Sequence, residues 1–421
     1  MSTVQAHEEH VQVVVSSTKA DDVMTKVTDL LDDKSQIHRL YRTVIDNKHV
    51  QKIWRVAHSR CEGDEDNYPH VVLPGSEKYT FCPLQWWTSG FFPGSLWILY
   101  ERSVKRPLPI PSDELLKIAK AWSANLESEK LNTSTHDLGF MLMPSFQREY
   151  NLTGSQKAAE IIVEAARSLS TRFDEKVQCI RSWNSAETGD YKFFSTDRDF
   201  LVAIDNMMNL DLLYSASVIS KNRKFADLAT AHADKTLKYH IRPDFSTFHM
   251  IVYDPVSGDK KIGLTHQGYS HESTWSRGQA WALYGYATVY KYTRNIKYLA
   301  VAKRLADYFL SRVDDGIVYW DFDAPRPCEW DTSAAMIACS GMLLICQLEN
   351  SKEYLESVVR ILQVCVERAM GTQETDSILM RATVANYKYY KNKLVEHGLV
   401  YADYYFLEVG NRLVDMGLIN V

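Results

Sequence analysis

The amino-acid sequence predicts an all-α fold, an (α/α)6 barrel built as a six-hairpin toroid, with long rim loops and one small β-hairpin. Three observations predict it. Helical periodicity, with apolar residues at i, i+3 and i+4, runs from about residue 34 onward. A two-helix unit recurs: a helix of apolar and small residues, a short polar turn, then an Ala-rich helix with one polar face. Loop formers are sparse, with 18 Gly and 12 Pro in 421 residues, while aromatic residues reach 12%.

The elements follow in order. Ile37, Leu40, Tyr41, Val44, Val50, Ile53 and Trp54 predict a helix within 34–60. Residues 86–101 and 112–129 form the first hairpin, the second helix marked by Leu115, Ala119, Trp122 and Leu126. Clear repeats follow over 138–172, 201–240, 276–313 and 333–370, with polar turns near 153, 222, 294 and 351. The first helix of each pair is almost wholly apolar and is expected inside; the second is amphipathic and is expected outside. The helix near 401–416 pairs with 34–60 to close the ring, an open superhelix being the alternative. Long connections at 179–200, 243–275, 316–331 and 372–397 are expected to gather at one rim. Within the second, 246–253 and 260–264 flank a Pro/Gly turn and read as the β-hairpin. Residues 1–20 are polar and are expected to be a loose tail; 21–421 are expected to form one domain.

Charge narrows the partners. Lys plus Arg is 48 against 53 Asp plus Glu, a net charge of −5, which offers no broad basic surface for nucleic acid. No apolar stretch reaches the roughly 18 residues of a spanning helix, and the N-terminus has no signal-type core. Seven scattered cysteines, none spaced as C-x-x-C, read as reduced thiols, so a cytoplasmic monomer or homodimer without membrane contact is expected.

The chemistry is read from carboxylates at inner-helix starts. No phosphate-loop, dinucleotide, zinc-protease or serine-hydrolase motif is present, and the histidines lack metal-ligand spacing, so no metal is expected. Asp137, next to His136, opens the second inner helix and could simply cap it. Asp205 lies in the apolar run 200–213, where a carboxylate must be paired or face a cavity, and an apolar setting raises its pKa. Two acids facing one pocket suit acid/base work on a sugar. Trp87, Trp183, Trp275 and Trp281 stand at helix starts or rim loops. Arg277 stands in a helix's first turn, where the macrodipole disfavours a cation; an incoming carboxylate would explain it, as would a salt bridge to a rim acid such as Glu272. His249 on the hairpin and Gln267 in the loop after it complete the candidate pocket.

Seven ordered blocks carry a resemblance: Thr135-His-Asp-Leu-Gly-Phe140, Ile204-Asp-Asn-Met-Met-Asn-Leu210, Thr247-Phe-His249, Thr265-His-Gln-Gly-Tyr269, Ser273-Thr-Trp-Ser-Arg-Gly-Gln-Ala-Trp281, Tyr319-Trp-Asp-Phe-Asp-Ala-Pro325 and Asp331-Thr-Ser-Ala-Ala335. Together they resemble the unsaturated glucuronyl hydrolases of glycoside hydrolase family 88, over roughly residues 86–408. The resemblance implies a single (α/α)6-barrel catalytic domain and removal of a 4,5-unsaturated glucuronic acid from lyase-generated oligosaccharides. It implies hydration of the C4=C5 enol ether, with Asp205 as general acid and base and Asp137 as the second acid. It implies substrate contacts from Trp87, Trp183, His249, Gln267, Arg277 and Trp281, and no cofactor; His136 and Trp275 join them as candidate substrate-binding residues. The chain departs at His271, where the family commonly has an acid, and 383–396 lacks a Ser-plus-Lys pattern that some relatives use for sulfated sugars. The alternatives are an unsaturated rhamnogalacturonyl hydrolase acting on pectin fragments and a non-catalytic carbohydrate-binding helical-repeat protein.

Overall fold

The computed structural model describes residues 34–59, 66–390 and 393–419. Chain contacts divide it into residues 1–39 and 40–421; helix packing and the site are described for the second unit. The expected tail lies outside the described residues, as does its boundary with the domain.

The protein is mostly helical. Helices α1 (Lys34–Val44) and α2 (Asn47–Ala57) replace the single helix expected over 34–60. Asp46 divides them, its carboxylate accepting from the Lys48 N–H. The inner series is α3 (Phe91–Ser103), α5 (Leu138–Thr153), α7 (Asn206–Ser220), α9 (Ser276–Thr293), α11 (Thr332–Glu349) and α13 (Val400–Asp415). Between them run α4 (Ser112–Ser123), α6 (Gln156–Ser170), α8 (Arg223–Tyr239), α10 (Ile296–Ser311) and α12 (Leu355–Arg368). Each inner helix packs on the next, and α13 packs back on α3. Each even-numbered helix from α4 packs on the inner helix before it, while α2 meets α3 and sets His49 edge-on to Phe406 of α13.

The sequence explains this division. On α6, Ala158, Ala159, Ile161, Ile162, Ala165 and Ala166 are buried at helical spacing and the opposite face is polar. On α11 every residue from Thr332 to Cys346 is buried. That helix does reach the length and hydropathy of a membrane span, a correction to the sequence reading, yet 83% of it is buried in the protein. The four polar turns share one kind of stop, and three of them add the same kind of cap. Gly154, Lys221, Arg294 and Asn350 take left-handed conformations that stop the inner helices. Immediately afterwards Ser155, Asn222 and Asn295 cap α6, α8 and α10 with their side-chain oxygens.

Two three-stranded sheets correct the all-α expectation, alongside two-residue strand pairs at Phe173–Asp174 with Cys179–Ile180 and at Ala186–Glu187 with Lys192–Phe193. Strands β1 (Asn67–Val72) and β2 (Tyr79–Pro83) pair, and a two-residue strand at Gly398–Leu399 joins on the far side of β1. The expected hairpin exists as β4 (Met250–Tyr253) and β5 (Lys260–Leu264), but β3 (Phe200–Ala203) pairs with it as a third antiparallel strand. The helix expected from residue 201 therefore begins only at Asn206. Phe200, Leu201, Val202 and Ala203 are buried on both faces, so the run is uniformly apolar and carries no alternation to separate strand from helix. Two smaller adjustments concern α3, which starts at Phe91 instead of 86, and α4, which tightens into a 3-10 helix at Ala124.

The inner helices all present their N-termini at one end. At the other end Arg148 of α5 donates from Nη2 to Glu408 of α13 at 2.8 Å and pairs with Glu101 of α3. Arg102 of α3 is fully buried and donates to Asn411 Oδ1 at 2.8 Å and to the Leu407 carbonyl at 3.1 Å.

Candidate active site

The N-terminal end of the inner series encloses a cavity of about 380 Å³. Every inner helix start contributes to it or to the groups that hold it. Asp137 occupies the N-cap position of α5 and Asp205 that of α7, but neither side chain caps its own helix. Asp137 Oδ2 instead accepts from Thr135 Oγ1 at 2.9 Å. The capping role that sequence allowed for Asp137 is thus not the one it plays.

Close helix packing brings the two acids together. Gly139 lies against Asn209 of α7, and a Cβ there would stand 2.5 Å from Asn209 Oδ1. That same oxygen accepts from the Phe140 N–H at 3.0 Å, pinning the start of α5 to α7. Between the acids sits His136, wholly buried, with Nε2 3.3 Å from Asp137 Oδ1 and 4.0 Å from Asp205 Oδ2. Neither His136 ring nitrogen, nor Asp205 Oδ1, has a hydrogen-bond partner among the described residues.

This setting changes Asp205. Burial pushes its carboxyl up to about 6 from the ordinary 3.8; the Asp137 charge adds to the rise, while His136 and Arg277 oppose it. Its side chain keeps 18% exposure, directed into the cavity.

Aromatic rings build the walls. Trp183 stands edge-on to His136 at 6.3 Å and beside His266 at 5.3 Å. Trp281 is buried and packs on Phe140 and Tyr405, and Trp87 lies against Phe140 and Tyr401. Trp275 immediately precedes α9 and lies beneath the Arg277 guanidinium, 4.6 Å from its ring centre. Trp87, His136, Asp137, Trp183, Asp205, Gln267, Trp275, Arg277 and Trp281 all line the one cavity.

His249 differs in placement: it is absent from the lining, touching Trp183 and Trp275 from one layer out. Its Nδ1 accepts from the N–H groups of His266 at 3.0 Å and Gln267 at 3.3 Å. Burial holds its pKa well below the ordinary histidine range, so it is neutral and its proton resides on Nε2.

Arg277 is already paired. Nη1 donates to Asp331 Oδ2 at 2.8 Å and to the Thr383 carbonyl at 2.6 Å, and Nη2 to the Val384 carbonyl at 2.6 Å. Glu272, the partner suggested by sequence proximity, is replaced by Asp331, which is fully buried and also caps α11. Gln267 Nε2 reaches the same Val384 carbonyl at 3.2 Å. Both residues therefore tie the cavity floor to the segment after 383.

That segment supplies residues missed by the sequence reading. Val384, Ala385, Tyr390 and Leu394 form one wall, and His70 and Trp86 face the cavity from β1 and the loop before α3. Trp86 and Tyr390 are 46% and 37% exposed and mark the mouth. Tyr401 could have been found, because it opens an inner helix as Asp137 and Asp205 do. Asp190, outside the lining, anchors this wall. It accepts from Tyr387 Oη at 2.7 Å and Tyr389 Oη at 2.6 Å, pairs with Lys388 at 3.0 Å, and faces His271 Nε2 at 3.4 Å. The two phenol hydrogen bonds hold its carboxyl well below the usual range.

Among the described residues, the group able to offer ligands to a cation is His136, Asp137 and Asp205, whose ligand atoms all lie within 4.8 Å of one another. Chemically, the site combines an acid that titrates at about 6, a second carboxylate beside it, and aromatic walls suited to a sugar ring.

No protein-family model matches the chain. It is similar to the unsaturated glucuronyl hydrolase of Formosa agariphila, 38% identical over 361 residues covering 82% of this chain and 84% of that protein. It is 32% identical to the unsaturated glucuronyl hydrolase of Bacillus sp. (strain GL1), over 83% of this chain and 91% of that one. Among solved structures, an unsaturated glucuronyl hydrolase specific for heparin superposes with a TM-score of 0.80 at 32% identity, covering 90% of this chain and 98% of the other.

Proposed function

Because the chain belongs to the unsaturated glucuronyl hydrolases, we propose that its cavity holds the terminal unsaturated uronate and that Asp205 hydrates the C4=C5 bond. The protein is a glycoside hydrolase acting on unsaturated glucuronyl oligosaccharides. The observation that carries the residue assignment is Asp205 itself: a cavity-facing carboxyl at about 6, with one oxygen unpartnered among the described residues and a second acid across His136.

The reaction balances with one water. Asp205 gives its proton to C4, and positive charge develops at C5 and the ring oxygen. Asp137, across His136, faces that charge. Water attacks C5 and returns a proton to Asp205, restoring the acid. The resulting C5 hemiketal opens to a ketone, the ring oxygen takes the proton, and C1 becomes a hemiacetal that expels the next sugar as an alcohol. One residue can serve as acid and base because its pKa lies near working pH.

The cavity's electrostatics suit this substrate. The inner helices direct their N-termini at it, which favours the uronate carboxylate. The sugar ring fits beside the acids between Trp183, Trp281 and Trp87, with the leaving sugar at the mouth near Trp86 and Tyr390. The helix order, with α13 returning to α3, supports the (α/α)6 barrel. The described cysteines are free and mostly buried, in keeping with a reducing, cytoplasmic setting.

Lyase-generated unsaturated disaccharides test the reading, since hydration destroys the ultraviolet absorption of the conjugated C4=C5 bond. Loss of absorbance with release of a free sugar is expected; an inert protein across a broad disaccharide panel would overturn it. The pH dependence follows from Asp205. It must be protonated to start the reaction, so kcat/KM is expected to decline as pH rises through about 6. A flat profile from pH 5 to 8 would count against its role as the acid. Asp190→Ala frees the wall without touching the acids, so KM is expected to rise about 3–10-fold with kcat within about twofold. Equal losses in both constants would refute that division of labour.

A further inference from the structure

We propose that His136, Asp137 and Asp205 also form a binding site for a divalent cation of the zinc class, which inhibits by occupying the two acids the sugar needs. The binding rests on the geometry of this trio; the inhibition rests on the proposed role of the two acids.

His136 poses the problem that the site answers. A buried imidazole ordinarily has partners for its nitrogens, because an unsatisfied buried polar group is costly. Here neither nitrogen has one among the described residues, although the side chain is wholly buried. Its Nε2 faces two carboxylates, at 3.3 Å and 4.0 Å, without hydrogen-bond geometry to either. One oxygen of Asp205 is likewise unpartnered. The group is therefore a set of donors whose partner must come from the cavity.

The spacing selects the partner. Zinc bonds to histidine nitrogen and carboxylate oxygen are about 2.0–2.2 Å, so tetrahedral ligand atoms stand roughly 3.3–3.5 Å apart. The His136–Asp137 separation of 3.3 Å already matches. The 4.0 Å separation from Asp205 needs only a small rotation of a carboxylate that is free on one oxygen. All three ligand atoms fall within 4.8 Å, and the cavity leaves a fourth position for water. A nitrogen and two oxygens on three residues suit zinc, whereas magnesium and calcium demand more oxygen ligands.

The second nitrogen limits the affinity. Resident metal sites generally back the ligating histidine with an acceptor on its other N–H. Nδ1 of His136 has none among the described residues, so the ion is a reversible occupant and micromolar binding is expected.

The test uses the full chain after chelation and desalting. Zn²⁺ is titrated by calorimetry and Co²⁺ by visible absorption, in which a tetrahedral site gives intense bands. One saturable equivalent is expected, weakened at least about 10-fold in both His136→Gln and Asp205→Asn, with unfolding temperatures confirming that both variants are folded. Mg²⁺ at millimolar concentration is expected to leave the Co²⁺ spectrum unchanged. Absence of saturable binding, or undiminished binding in His136→Gln, overturns the site; the latter result would place the ion elsewhere on the chain. Zn²⁺ is further expected to raise KM for an unsaturated disaccharide at constant kcat, and a fall in kcat alone would overturn competition. The binding arms use no sugar, so they stand or fall separately from the proposed reaction.

Discussion

Asp205→Asn is expected to abolish turnover, lowering kcat by about 10³-fold or more, at the upper range for a residue serving as both acid and base. KM is expected to change little, because the amide keeps the carboxyl's shape and only the transferable proton is lost. The variant should also remain folded, and the sign of the pKa shift says why. The folded-state value of about 6 lies above the ordinary 3.8. Stability linked to this group is therefore present at low pH and is lost as pH rises through about 6. An amide carries no charge to desolvate, so at pH 7 the variant's unfolding temperature should equal or exceed that of the parent. Absorbance assays under substrate saturation, paired with thermal unfolding at pH 5 and 7, check both halves. Substantial residual turnover would remove Asp205 from the reaction, while a lower unfolding temperature at pH 7 would contradict its burial as an unfavourable anion.

The second large effect concerns Asp331→Ala. This change leaves Arg277 buried without its anion, and breaking such a pair destabilises a protein by about 3–5 kcal/mol. The loss should extend to activity, because Arg277 also holds the carbonyls of Thr383 and Val384, from which the mouth wall begins. Asp331→Ala further removes the cap of α11, which accepts from the N–H groups of Ser333 and Ala334. The pair Arg277→Met and Asp331→Leu together should recover much of the stability, because two apolar side chains can fill the volume without an uncompensated charge. It should recover none of the activity. Thermal unfolding of the four proteins in a double-mutant cycle provides the measurement, and additive effects would show that the two residues do not act as a pair.

These cases also show what a sequence conveys. Asp205 was legible because one carboxylate in an apolar run contradicts its surroundings. The hairpins were legible because each turn carries a helix stop, and three of the four follow it with a capping side chain. Phe200–Ala203 was not, since a strand buried on both faces is as uniformly apolar as a buried helix. Arg277 was recognised as needing an anion, yet proximity suggested Glu272, whereas the fold supplies Asp331 from the next inner helix. Asp190 left no local trace at all. Its partners lie about two hundred residues away, and only folding places Tyr387 and Tyr389 on its carboxylate.

The return of α13 to α3 bears on how the chain is made. A ribosome releases the N-terminal end first, so α3 emerges early and its last neighbour emerges at the end. Until residues 400–415 appear, Arg102 lacks Asn411 and the Leu407 carbonyl, and Arg148 lacks Glu408. The circle thus cannot close before α13 has emerged, and earlier repeats wait with one lateral face uncovered. Stalled nascent chains ending before residue 400 are expected to stay protease-sensitive, and full-length released chains to become resistant. Loss of α13 alone should accordingly act as loss of the whole.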